Sequence, residues 1–184
     1  MRRLLWVIAA LCLAACSGLE GVIAPSAPLS IAYPAMPRNL TEGRVTRVVD
    51  GDTADIRVGG EIWRVRMLGM DTPEVVARER PVECFGREAS ARAKQLLEGQ
   101  TVYLERDASQ DDRDRFGRYL RFVWFGDGRL FNLQMIAEGY AFEYTYQGNA
   151  HKYQRQFRSA QEEARRAGRG LWSPSACNGE RRPE

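Results

Sequence analysis

Hydrophobic and polar positions change period several times along the chain, and each change marks an element. Residues 44–49 and 53–58 alternate, are rich in β-branched side chains and are separated by Asp50-Gly51-Asp52. Gly59-Gly60 then sets off a third such run over 61–68. Alternation with period two between tight turns predicts a three-strand meander. Phe85, Ala89, Ala93, Leu96 and Leu97 follow at helical spacing and Gly99 stops them, which predicts a helix. Residues 101–106 and 118–125 alternate again, the second run rich in aromatics, before Gly126-Asp127-Gly128 turns the chain. A short helix over 132–138 ends at Gly139, and a longer one carries Tyr153, Phe157, Ala160, Ala164 and Ala167 before Gly168. The order βββαββαα predicts an α+β, mainly β, class: a five-stranded OB-fold barrel with three helices packed on it.

The start of the chain follows a different logic. Arg2 and Arg3 precede an apolar run over 4–13, too short to span a bilayer comfortably, which closes with Leu13-Ala14-Ala15-Cys16. Residues 1–15 therefore read as a secretory signal peptide. The closing tetrapeptide resembles the bacterial lipobox, which implies that Cys16 becomes the first mature residue and carries lipid. The expectation is an exported, membrane-anchored lipoprotein facing the periplasm or the cell exterior, monomeric and tethered at Cys16. Pro25, Pro28, Pro34 and Pro37 among small residues make 16–40 the lipidated cysteine plus a spacer. A single domain over 41–177, with no internal repeat, and a polar tail over 178–184 complete the plan.

Charge and cysteines narrow the chemistry only a little. Without residues 1–15 the chain holds 25 basic and 24 acidic side chains, so attraction for a polyanion must come from how the arginines cluster. Of four cysteines, Cys12 leaves with the signal peptide and Cys16 is the lipid site, which leaves Cys84 and Cys177. Two thiols in an oxidising compartment predict one disulfide, closing a long loop and contributing about 2 to 4 kcal/mol. Neither lies in a Cys-x-x-Cys, which argues against a redox or zinc role.

The single histidine, His151, falls in the first turn of the last predicted helix and is expected at the surface. One histidine cannot build a multi-histidine zinc site, and no nucleophile is marked out beside it for a triad. If the chain hydrolyses anything, carboxylates, arginines and a hard metal must perform the work. Val49-Asp50-Gly51-Asp52-Thr53 and Arg66-Met67-Leu68-Gly69-Met70-Asp71-Thr72-Pro73-Glu74 supply such groups at the ends of adjacent strands. Asp52 and Asp71 can offer oxygen ligands to a cation, and clustered carboxylates without one would raise each other's pKa. Arg66 alternates with Val65 and Met67, which turns its guanidinium to the opposite face. Asp114-Arg115-Phe116-Gly117-Arg118-Tyr119 then places Arg118 at the mouth of a strand, a second fork for a phosphate. An EF-hand over 107–117 fails because its acids and glycine are wrongly spaced.

Each segment alone is an ordinary turn or loop signal. Together, in this order and with the spacing from Asp52 to Arg66 to Asp71, they resemble the signatures of the staphylococcal nuclease family over about 44–174, including Gly139 and the Gly170-Leu171-Trp172-Ser173 ending. The resemblance implies a calcium-dependent nuclease cutting DNA or RNA to products ending in 3′-phosphate. It implies Ca2+ on Asp52, Asp71 and the Thr72 carbonyl, Glu74 as general base, and Arg66 and Arg118 on the scissile phosphate. Tyr140, Phe142, Tyr144 and Tyr146 fall where the family stacks a nucleotide, with core and loop packing the other role open to them. Tyr144, Tyr146 and Phe116 are the substrate-side candidates; Phe116 stands where the family often has tyrosine. Arg78 and Arg80, in the loop over 75–83, fit an ordinary solvated loop. The competing class is a non-catalytic OB module binding nucleic acid or another polymer, whose hallmark would be loss of Glu74 or an arginine; neither is lost.

Overall fold

Five strands, 41–48, 53–58, 61–67, 119–125 and 101–105 in the order in which they pair, close into a barrel, as a computed structural model describing residues 29–75 and 81–183 shows. The signal peptide, Cys16, Arg78 and Arg80 lie outside the described residues. The meander comprises β1 (Thr41–Val48), β2 (Thr53–Val58) and β3 (Glu61–Met67), followed by a two-residue strand β4 (Met70–Asp71). Helix α1 (Gly86–Leu97), strands β5 (Thr101–Glu105) and β6 (Tyr119–Phe125), helix α2 (Phe131–Ala137), strand β7 (Phe142–Glu143) and helix α3 (Gln154–Arg166) complete the order. This is the expected OB-fold sequence of elements, with β4 and β7 added as a separate ribbon. Among the described residues no helix is long and apolar enough to cross a membrane.

Alternation fills the barrel. Ala54, Ile56 and Val65 from the meander meet Val102 from β5 and Phe122 and Trp124 from β6, all fully buried. Each large side chain so removed from water stabilises the fold by about 1.5–3 kcal/mol. The core extends past the barrel: Ile31, Tyr33, Met36 and Leu40, ahead of β1, pack against it. Glu105 ties α3 to the wall, accepting from Trp124 Nε1 at 2.8 Å and from the Tyr153 hydroxyl at 2.9 Å, so a buried carboxylate keeps partners.

Two pairings decide where the chemistry sits. β2 and β3 are antiparallel with Thr53 opposite Arg66, which places the residue before β2, Asp52, beside the end of β3. β3 and β6 run parallel with Val65 opposite Tyr119, so Arg118 enters on the strand neighbouring that of Arg66. The buried Asn132 of α2 locks this corner: its Oδ1 accepts from Val123 N at 2.8 Å and its Nδ2 donates to Leu68 O at 2.9 Å.

The predicted disulfide joins Cys84 and Cys177, 93 residues apart, with Cα atoms 5.9 Å from each other. His151 departs from its surface expectation, being 6% exposed. It precedes α3 rather than opening it, and its ring lies 5.0 Å from Phe157 and 5.7 Å from Phe122 between centroids. An aromatic wall contributed by α3 and β6 captures it.

Candidate active site

The chain reverses after β3 at Leu68-Gly69, where Gly69 takes φ 73°. A Cβ there would meet the His151 ring at 2.5 Å, so the turn accepts only glycine. β4 thereby folds back over Arg66, whose Nη1 donates to the carbonyl oxygens of Met67 and Met70, both at 2.8 Å. Its Nη2 lies 2.6 Å from Asp71 Oδ1 and 3.2 Å from Asp52 Oδ2. One guanidinium nitrogen is thus shared by the two carboxylates that sequence reasoning paired. Asp52 Oδ2 also accepts from Thr72 N at 3.0 Å and from Thr72 Oγ1 at 3.1 Å, so Thr72 meets the cluster through its amide and hydroxyl.

Arg66 stays charged in this setting: burial acts to lower its pKa, but the Asp52 and Asp71 carboxylates more than reverse that and raise it. Burial pushes the Asp71 carboxyl up, against the opposing pull of Arg66. Asp50, which accepts from Asp52 N at 3.0 Å, is pushed up to about 7 by burial and then by the Asp52 charge. Three acids crowd one corner, and their surplus negative charge is what a cation would relieve.

Whether this corner suits a hard divalent cation is a question of donor chemistry. Asp52 and Asp71 offer carboxylate oxygens around a single point, and the Thr72 carbonyl belongs to the same segment, all of the type such cations take. Calcium accepts six to eight oxygens, so these donors fit only as part of a shell that water and substrate fill. Among the described residues no group of three or more His, Cys, Asp or Glu side chains forms a metal cluster.

A cleft of about 990 Å³ opens at this corner, lined among others by Arg66, Asp71, Phe116, Arg118, Tyr144 and Tyr146. Arg118 is held by Asp114, whose Oδ2 accepts from Arg118 Nε at 2.6 Å while Oδ1 accepts from Arg118 N and Phe116 N, both at 2.9 Å. Phe116 is 68% exposed, Tyr144 43% and Tyr146 50%, the exposure expected of stacking surfaces rather than of core. The ribbon of β4 and β7 delivers these tyrosines: Asp71 pairs with Phe142, and Tyr144 N donates to Gly69 O at 3.0 Å. Asp52 and Thr72 sit outside the cleft lining, each 6% exposed. Glu74, two residues beyond Thr72, is also outside it; Val75 N donates to its Oε1 at 3.1 Å and its own N donates to Glu83 Oε2 at 3.0 Å.

Sequence reasoning missed four residues of this neighbourhood. Asp114 stood in a quoted motif without a role, and Asp50 was read as part of a turn. Glu83 and Arg181 carried no signal, because their places depend on the cross-link between Cys84 and Cys177.

The rim of this OB barrel gathers Arg66, Arg118, Asp71 and exposed aromatics in one cleft, with the buried Asp52 directly behind Arg66. The family model of the staphylococcal nuclease homologues matches residues 64–174. The chain is 40% identical over 130 residues to a thermonuclease of Staphylococcus hyicus, covering 71% of this chain and 75% of that protein. It is 41% identical over 128 residues to a thermonuclease of Staphylococcus intermedius, covering 70% and 74%. A micrococcal nuclease of Shigella flexneri is 34% identical over 139 residues, covering 71% and 73%. The chain belongs to the staphylococcal nuclease homologue family, and its enzyme class is that of a nuclease, a phosphodiesterase.

Proposed function

We propose that the protein is a calcium-dependent nuclease that hydrolyses phosphodiester bonds of DNA or RNA, exported and anchored in the membrane by lipid on Cys16. The observation that carries the catalytic part is the convergence of Asp52 and Asp71 on one nitrogen of Arg66, with Arg118 on the same cleft. The lipid anchor rests on the resemblance of residues 13–16 to a lipobox.

A phosphodiester is an anion and repels the hydroxide that must attack it, so its charge has to be screened first. Arg66 and Arg118 supply two guanidinium groups whose fork matches the oxygens of a phosphoryl group, a match that lysine, as a point charge, lacks. Asp114 aims Arg118, and the Met67 and Met70 carbonyls aim Arg66. Asp52, Asp71 and the Thr72 carbonyl would hold the Ca2+. When bound, that ion supplies Lewis-acid neutralisation of the phosphate charge. Glu74 takes the proton from the attacking water, and the two arginines bear the charge that builds on the phosphoryl oxygens. Phe116, Tyr144 and Tyr146 stack bases without choosing among them, because every base has a π-face.

Glu74→Gln and Arg118→Ala test the assignment on single-stranded DNA with Ca2+ present. Both are expected to lower the cleavage rate by a factor of 100 or more, roughly the loss that follows removal of one oxyanion donor. An unchanged rate in both would assign the cleavage to a contaminant and favour the non-catalytic binding module instead.

A further inference from the structure

The chain after α3 does not run off into solvent; it returns to the site. Cys177 is bonded to Cys84, and Cys84 N donates to Arg182 O at 2.8 Å. Arg182 Nη2 donates to Ala176 O at 2.9 Å, and Glu83 forms an isolated β-bridge with Pro183. These four contacts tie down the chain on either side of one residue, Arg181.

Arg181 Nη2 pairs with Asp71 Oδ2 at 2.5 Å, and Nη1 lies 3.3 Å from Glu83 Oε2. Its guanidinium carbon is 4.4 Å from the centroid of Phe142, the residue paired with Asp71 across the ribbon. Since Arg66 holds Asp71 Oδ1, both oxygens of that carboxylate are engaged by guanidinium groups. The two arginines are not equivalent. The Arg66 side chain is 13% exposed and also bound to two carbonyls, whereas that of Arg181 is 38% exposed and sits on the tail. Of the two, Arg181 is the one that can yield.

We propose that Arg181 is a positioning residue for Asp71: a tail-borne guanidinium, delivered by the Cys84–Cys177 link, that occupies the carboxylate and competes with a divalent cation for it. The inference rests on the nuclease reading through its choice of Asp71 as a cation ligand. A positive charge this close opposes a second, doubly positive one, and releasing Asp71 Oδ2 is a condition for full use of the carboxylate. Removing Arg181 removes the repulsion and frees the oxygen, so cation affinity rises. Lysine at the same place keeps the charge, so affinity stays near that of the parent.

Calorimetric titration of Ca2+ into the purified, disulfide-intact protein, without nucleic acid, reads this directly for the parent, Arg181→Ala and Arg181→Lys. Arg181→Ala is expected to bind Ca2+ about fivefold or more tightly than the parent, with Arg181→Lys within twofold of it. If the parent shows no binding, its appearance in Arg181→Ala supports the proposal. An affinity for Arg181→Ala that is within twofold of the parent, weaker, or still undetectable overturns it. Cleavage of DNA by the parent is measured in parallel. Loss of that activity would sink the nuclease reading while leaving the titration result standing on its own.

Discussion

Arg66 and Asp71 meet at 2.6 Å across the turn that joins β3 to β4, and the guanidinium that makes this contact is fixed from behind by the carbonyl oxygens of Met67 and Met70. A side chain with four fixed partners is already oriented before any substrate arrives. Preorganised charge of this kind contributes to catalysis without reorganisation during the reaction. Arg66→Ala is therefore expected to cost about 3–4 kcal/mol in the barrier. Arg66→Lys should recover little of it, since lysine cannot fork. Steady-state kinetics on single-stranded DNA at saturating Ca2+ checks both.

Asp114 acts on Arg118 as those carbonyls act on Arg66. Its carboxylate accepts from the Arg118 side chain and from two backbone N–H groups. Asp114→Ala leaves the guanidinium in place but unaimed, and misplacing a positioned group by about 1 Å can cost on the order of a hundredfold. The expected result is a ten- to hundredfold fall in kcat, on the order of that estimate, with KM nearly unchanged. A change confined to KM would contradict the positioning role.

His151 gives the fold a pH dependence whose sign is fixed. Burial holds its imidazole below the ordinary value of 6.5, outweighing the upward pull of Glu143, 3.5 Å away, and of Asp107, with Arg158 acting in the same sense as burial. In that window the unfolded chain binds a proton that the folded chain refuses, so stability falls as pH drops below about 6.5. His151→Gln should flatten the loss. Thermal midpoints of both proteins between about pH 5 and 8 would show the parent falling more steeply on the acid side.

The Cys84–Cys177 bond closes a loop of 93 residues. In the chain-entropy account a loop of this length stabilises by about 4–5 kcal/mol. Replacing both cysteines by serine should lower the free energy of unfolding by that order in urea titrations and steepen the urea dependence, because the denatured chain without the cross-link is more expanded. It should also loosen Arg181, because that residue reaches Asp71 by way of the tether.

Local pattern revealed the elements because each keeps one period for long enough to register. The strands β2, β5 and β6 and the helix α1 fall within a residue or so of where alternation and helical spacing put them. β4 and β7 have two residues each, too few to carry a period, yet they set Phe142 opposite Asp71 and bring Tyr144 to Gly69 at the edge of the cleft. The parallel pairing of β3 with β6 is likewise invisible to a local reading, though it sets Arg118 near Arg66. His151 was misplaced for a related reason: its burial is decided by Phe122 and Phe157, neither of them a sequence neighbour. The candidate acids and arginines were legible because they flank turns, where glycine and aspartate mark the chain. Arg181 was not, because only a covalent link between distant cysteines brings the tail to the site.

If Asp52 and Asp71 serve a cation required for hydrolysis, cleavage of single-stranded DNA by the purified protein must differ between Ca2+ and excess chelator. Cutting with Ca2+ that stops in chelator and resumes when Ca2+ is restored is the predicted result. Equal cutting in both, or none in either, would contradict it.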